Sequence, residues 1–154
     1  MKKKRTVDVA SSKLSKRGDY TEVLEAIDSG AFCPFCEGNL FKHHRKPILF
    51  KTKHWLVTEN AWPYAGSRHH FLLITKKHVE RTEDARPTVL ADLHAVYERL
   101  VRDYGLKGAT LVMRSGDSAY TGATVQHLHA QILSGSKRTK RTVPLTAVVG
   151  FKKP

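Results

Sequence analysis

The stretch Gly122-Ala123-Thr124-Val125-Gln126-His127-Leu128-His129-Ala130-Gln131-Ile132 concentrates the groups best able to do chemistry. On a β-strand, successive side chains face opposite ways. His127, His129 and Gln131 then share one face, and Leu128, Ala130 and Ile132 share the other. Two imidazoles and an amide on a strand with an apolar back are costly unless they have partners, which points to a site. A neutral imidazole attacks phosphorus well and leaves again, so it can divide one displacement into two. The amide of Gln131 can donate a hydrogen bond to a phosphate oxygen. Thr124 and the backbone N–H groups around Gly122 and Ala123 can hold the other oxygens, as an anion nest does. Phosphoryl transfer needs mainly positioning and charge stabilisation, and this strip offers both.

A second group of ligating residues lies upstream. Cys33 and Cys36 are the two cysteines of the chain, spaced Cys-x-x-Cys. That spacing fits a metal site or redox chemistry. Thioredoxin-like use requires a strand leading into a helix, and Phe35-Cys36-Glu37-Gly38-Asn39 does not read as a helix start. A closed tetrahedral zinc site needs two further ligands. Within a compact finger only His43 and His44 are near enough.

Several elements must position these groups. Asp19 reads as the N-cap of a helix and Glu22 completes a capping-box pattern. Val23, Leu24 and Ile27 give this helix an apolar side, and Ser29-Gly30 ends it. Ile48-Leu49-Phe50 and His54 to Thr58 read as two strands around the polar Lys51-Thr52-Lys53. The run His70-Phe71-Leu72-Leu73-Ile74-Thr75 suits a buried strand. Pro87 suits the first turn of the longest helix. Along it Val89, Leu93, Val96, Leu100, Val101 and Tyr104 recur at helical spacing, and Gly105 closes it. Thr110 to Met113 and Val125 to Leu133 read as strands, and Val143 to Val149 as a last one. Strands with one main helix packed on them predict an α+β fold with an antiparallel sheet.

The chain has 154 residues, enough for one domain with its own core. Its net charge of +13 is unevenly placed. Residues 1–17 hold seven Lys/Arg against one acid, and residues 137–154 hold six against none, which leaves the body close to neutral. The charge therefore predicts no nucleic-acid groove in the body. It leaves open a polyanion, such as a nucleic-acid end, held by the basic ends. Three segments are expected: a flexible basic lead over 1–18, a catalytic domain over 19–136, and a basic tail over 137–154. No apolar run is long enough for a membrane span. The basic residues at 2–5 precede no apolar stretch of the kind a secretory signal has, so a cytoplasmic location is expected.

The register of Gly122-Ala123-Thr124 with His127-x-His129-x-Gln131 resembles the histidine-triad (HIT) superfamily. Glutamine at the last position is most similar to the branch of galactose-1-phosphate uridylyltransferase and dinucleoside tetraphosphate phosphorylase. The resemblance runs from about residue 20 to 133. It implies a HIT-like fold and a nucleotidyl transferase, phosphorylase or hydrolase acting on nucleoside polyphosphates or nucleotidyl conjugates. His129 would be the nucleophile, oriented by a backbone carbonyl near His127, and Thr124 would contact phosphate. It implies a structural zinc at Cys33, Cys36, His78 and His127, with His44 an alternative to His78. It places Trp55, Asn60 and Trp62 around the nucleoside, and it implies a homodimer. The loop Arg114-Ser115-Gly116-Asp117 departs from the pattern, because the related hydrolases tend to carry Asn there. Removal of adenylyl groups from nucleic-acid ends and a non-catalytic nucleotide-binding module are the rival readings.

Overall fold

The computed structural model describes residues 6–15, 17 and 19–154. Lys2, Lys3, Lys4, Arg5 and Lys16, which carry much of the basic N-terminus, lie outside the described residues. The fold is α+β. Five strands, β1 (Ile48–Lys51), β2 (Trp55–Glu59), β3 (His69–Thr75), β4 (Thr110–Arg114) and β5 (His129–Ser134), form one sheet in the order β1-β2-β3-β5-β4. Every neighbouring pair is antiparallel.

The period-2 pattern divides the sheet into two unlike faces. On one face Trp55, Val57, Phe71, Leu73, Ala130 and Ile132 meet the long helix, which contributes Leu93, Val96 and Leu100. That helix (Pro87–Asp103) has proline at its start, where no N–H is needed. On the opposite face Leu56, Leu72 and Ile74 pack on Leu40. Leu40 belongs to a short helix, Glu37–His43, with Cys36 at its N-cap. The sequence reading denied a helix start there. Gly38 weakens the local signal, and burial of Leu40 against the sheet outweighs it.

A third cluster joins Val7 and Val125 to Tyr20, Leu24 and Ile27 of the helix Tyr20–Gly30. Asp19 is the N-cap of that helix, as expected, but its side chain makes no capping bond. Its carboxylate accepts from the Trp62 indole and from Arg45 instead.

Two expectations about the ends are corrected. Within the lead expected to be flexible over 1–18, Val9–Ser15 is helical. Val7 is buried and forms an antiparallel bridge with Val125. Two valines in a polar context are a weak sequence signal, and only the partner strand makes them a core. At the other end, residues 143–149 form no strand. Pro144 lacks the N–H that strand pairing uses. The segment instead crosses the glycine loop, where Arg114 donates to the Val148 carbonyl.

Candidate active site and metal centre

β5 lies between β3 and the edge strand β4 and carries His129 and Gln131 on the face away from the long helix. Both side chains are about 95% buried. They line a cleft with Thr124, Asn60, Trp62, Phe35 and Arg17. Its far wall is apolar, with Val23, Leu24 and Ile27 from the helix Tyr20–Gly30. Phe35, between the two cysteines, lies nearly perpendicular to the His129 ring, the ring centroids 5.1 Å apart.

His129 Nδ1 donates to the His127 carbonyl at 2.7 Å. This fixes the tautomer, so Nε2 keeps its lone pair. Burial lowers the His129 pKa to about 4, and the nearby Arg114 and Arg17 charges act in the same direction. The ring is therefore neutral at ordinary pH.

Gln131 is oriented by a residue that carries no motif, His70. The Tyr64 backbone N–H donates to His70 Nδ1 at 3.0 Å. Nε2 must then carry the proton, and it donates to Gln131 Oε1 at 2.7 Å. The Gln131 amide N–H groups remain as donors. His70 is a positioning residue that sequence reasoning missed. The available signal was a buried-strand histidine on the same face as Leu72.

Burial also pushes the His70 pKa down to about 4, the Gln131 bond opposing it. The unfolded chain then binds the proton first, so His70 contributes stability above its unfolded pKa and loses it as the pH falls. Between roughly pH 6.5 and 4 that loss is about 3 kcal/mol. Urea melts across this window are expected to show the fall, and His70→Gln should remove its share and leave the part due to His129, which is depressed into the same window.

The four residues Cys33, Cys36, His78 and His127 converge, their ligand atoms all within 4.8 Å of one another. His127 Nδ1 lies 3.3 Å from Cys33 Sγ and 3.1 Å from His78 Nδ1. Cys36 Sγ is 3.4 Å from His78 Nδ1. Four ligands at ordinary zinc distances lie about 3.3–3.8 Å apart around a tetrahedron, so the donor set fits a metal ion. His127 Nε2 donates to the Thr75 carbonyl at 2.7 Å, which leaves Nδ1 free as a ligand. Burial lifts the Cys33 thiol to about 11, a thiol that a bound cation would deprotonate. His44 is turned away and bonds Thr58 Oγ1 at 2.8 Å.

Other expected residues fall elsewhere. Trp55 is not at the cleft. It is fully buried under the long helix, and its indole N–H donates to the Val89 carbonyl at 2.9 Å. Asn60 and Trp62 do line the cleft, and Trp62 packs 5.1 Å from Tyr20.

The amides of Gly122 and Ala123 do not form the expected nest. Gly122 N–H caps the turn Ser118–Thr121 through Ser118 O at 2.8 Å. Ala123 N–H donates to Thr121 Oγ1. Thr124 Oγ1 shares a hydrogen bond with the Tyr20 hydroxyl. Ser115 and Asp117 accept from the backbone N–H groups of Thr82 and Ala119, so neither faces the cleft as a substitute for the missing Asn.

Gly122 has φ +70°, and a Cβ there would meet Val148 Cγ1 at 2.6 Å. Gly122→Ala is expected to cost about 1–2 kcal/mol through backbone strain, with the clash in addition. A double-mutant cycle with Val148→Ala, read by urea melts, should recover the clash portion alone.

A strand that begins at His129, with His127 just before it, is backed by one long helix and lies beside a Cys/His cluster. Residues 43–138 match the family model described as the HIT domain, and the chain belongs to the HIT domain family. An uncharacterised HIT-like protein from Chlamydia muridarum is 29% identical over 122 residues, covering 77% of this chain and 84% of the relative. A HIT family hydrolase from Legionella pneumophila Philadelphia 1 is 26% identical with a TM-score of 0.56, covering 71% of this chain and 98% of that one. A Zn-bound histidine triad family protein from Mycobacterium smegmatis shares the fold with a TM-score of 0.58 at 22% identity, covering 76% and 81%. No helix among the described residues is long and apolar enough to cross a membrane.

Proposed function

We propose that the protein is a nucleotidyl-transferring enzyme that works through a covalent nucleotidyl-His129 intermediate. The observation that carries this is the His129 ring: buried in the cleft, neutral, with Nδ1 committed to the His127 carbonyl and Nε2 free. Nε2 attacks the α-phosphorus of a nucleotide or nucleotidyl conjugate. The P–N bond forms as the P–O bond to the leaving group breaks, and that electron pair departs on oxygen. The carbonyl of His127 stabilises the positive charge that the ring gains. Gln131, held by His70, donates to a phosphate oxygen, and Thr124 supports another. An acceptor oxygen then attacks phosphorus, the P–N bond breaks, Nε2 regains its lone pair and the acceptor proton passes to solvent.

Glutamine in the last motif position favours transfer to phosphate or another acceptor over simple hydrolysis, as in the uridylyltransferase and phosphorylase branch. Trp62 and Asn60 would meet the nucleoside. Zinc at Cys33, Cys36, His78 and His127 would be structural, because all four positions are protein ligands. It would tie the N-terminal cysteines to the segment that leads into β5. A homodimer in the cytoplasm is the working assembly and location.

The test is intact-protein mass spectrometry after brief incubation with a panel of nucleoside polyphosphates, quenched at alkaline pH to preserve the phosphohistidine bond. The expected result is an added nucleoside monophosphate that is absent from His129→Ala. Neither adduct nor substrate consumption with any nucleotide would refute the reading.

A further inference from the structure

Arg17 stands in the cleft wall with His129, and its place there has no counterpart in the mechanism above. Its guanidinium lies over two aromatic rings, 4.3 Å from the Tyr20 centroid and 5.0 Å from that of Tyr64. Nη1 donates to the Trp62 carbonyl at 3.0 Å. Nε is the one side-chain polar atom among the described residues that is buried without a hydrogen-bond partner. No carboxylate is paired with this arginine among the described residues. A second guanidinium approaches the same tyrosine: Arg114 Nη2 donates to Tyr64 Oη at 3.2 Å. Arg114 sits opposite His129 in the β4–β5 register.

Two guanidinium groups meeting at one tyrosine, beside a buried site and without a carboxylate on Arg17, leave an unbalanced positive charge. Arg17 is half-buried with its Nε fully so, and a partly desolvated charge gains from an anion that completes it. The planar fork of arginine matches the oxygens of a phosphate better than any other side chain does. Aromatic faces hold it in place before the ligand arrives, which lowers the ordering cost on binding.

We propose that Arg17, with Arg114 behind it, binds a second phosphate of the substrate, the one next to the phosphorus that His129 attacks. The leaving group is then a phosphate or phosphate chain, rather than an amine, an alcohol or a sugar. This rests on the nucleotidyl-transfer reading for which phosphate is attacked, but its test does not require turnover.

The test uses the full chain, metal-loaded, in the His129→Ala background, so that no nucleotide is consumed. Dissociation constants are measured by calorimetry for the mono- and diphosphates of adenosine, guanosine and uridine. For the nucleoside that binds, the diphosphate is expected to bind at least about tenfold tighter than the monophosphate. Arg17→Met, which keeps an apolar stem between the tyrosines, should remove most of that preference. The monophosphate constant should change by less than about threefold. A merely structural role for Arg17 would weaken both nucleotides equally, and that result overturns the proposal. So does equal affinity for mono- and diphosphate in the parent, for every base.

If Arg17→Met melts below the assay temperature, Arg17→Lys decides. It keeps a charge but loses the fork, so the preference should shrink by at least about threefold, and an unchanged preference counts against the proposal. A diphosphate preference that depends on Arg17, found together with no His129 adduct, would sustain this inference and refute the covalent mechanism.

Discussion

His129→Ala is expected to lower turnover by a factor on the order of 10⁴ or more, because it removes the nucleophile and leaves only binding and phosphate polarisation. Nucleotide affinity should change by less than about tenfold, since the apolar wall and the phosphate donors remain. The split between turnover and binding is the informative part. A variant that lost both would report a collapsed cleft rather than a missing nucleophile, and thermal melts would separate the two. Gln131→Ala provides the graded comparison. It removes one donor to phosphate, for which a loss of about 10²–10³ in kcat is expected. His70→Gln acts one step further back, through the orientation of the Gln131 amide, and should cost less than Gln131→Ala. If His129→Ala retained turnover, the covalent route would be wrong.

The second large effect concerns the metal. One zinc per chain is expected by elemental analysis, and Cys33→Ser is expected to abolish it. Extraction with a strong chelator should lower the Tm by more than about 10 °C, which for a chain of this size corresponds to a loss of about 3–5 kcal/mol. The reason is topological. The four ligands come from three segments far apart in sequence, with Cys33 and His127 separated by 94 positions and Cys36 and His78 by 42. An ion that joins them removes the freedom of long loops in the unfolded chain. It also draws together two Nδ1 atoms 3.1 Å apart and a buried thiol that otherwise share only hydrogen bonds. Activity should fall with the metal, because the backbone at His127 aligns the His129 ring. Full stoichiometry in Cys33→Ser, or a Tm insensitive to chelation, would show that the cluster is no metal site.

The sequence by itself determined the elements whose signal is local. The 3.6-residue recurrence from Val89 to Leu100 specifies a helix with one apolar side, and the structure buries that side as the main core. Strand alternation separates Ala130 and Ile132 from His129 and Gln131, and the two pairs do lie on opposite faces. The spacing of the cysteines marked a ligand pair without saying what completes it.

The tertiary structure decided everything that depends on pairing distant segments. Trp55 and Trp62 are equivalent as residue types. Only the assembled sheet turns one beneath the long helix and leaves the other at the cleft. His70 acquires its role because β3 pairs with β5, which brings its ring to Gln131. Arg17 reads as one more charge in a basic leader until Tyr20 and Tyr64 enclose it. The amides of Gly122 and Ala123 were plausible phosphate donors until the turn beside them used both. Residue type and spacing state what a group is able to do. Whether its partner is water, a carbonyl 50 residues away or a substrate is a matter of three-dimensional proximity, and buried polar groups take whichever partner the fold supplies.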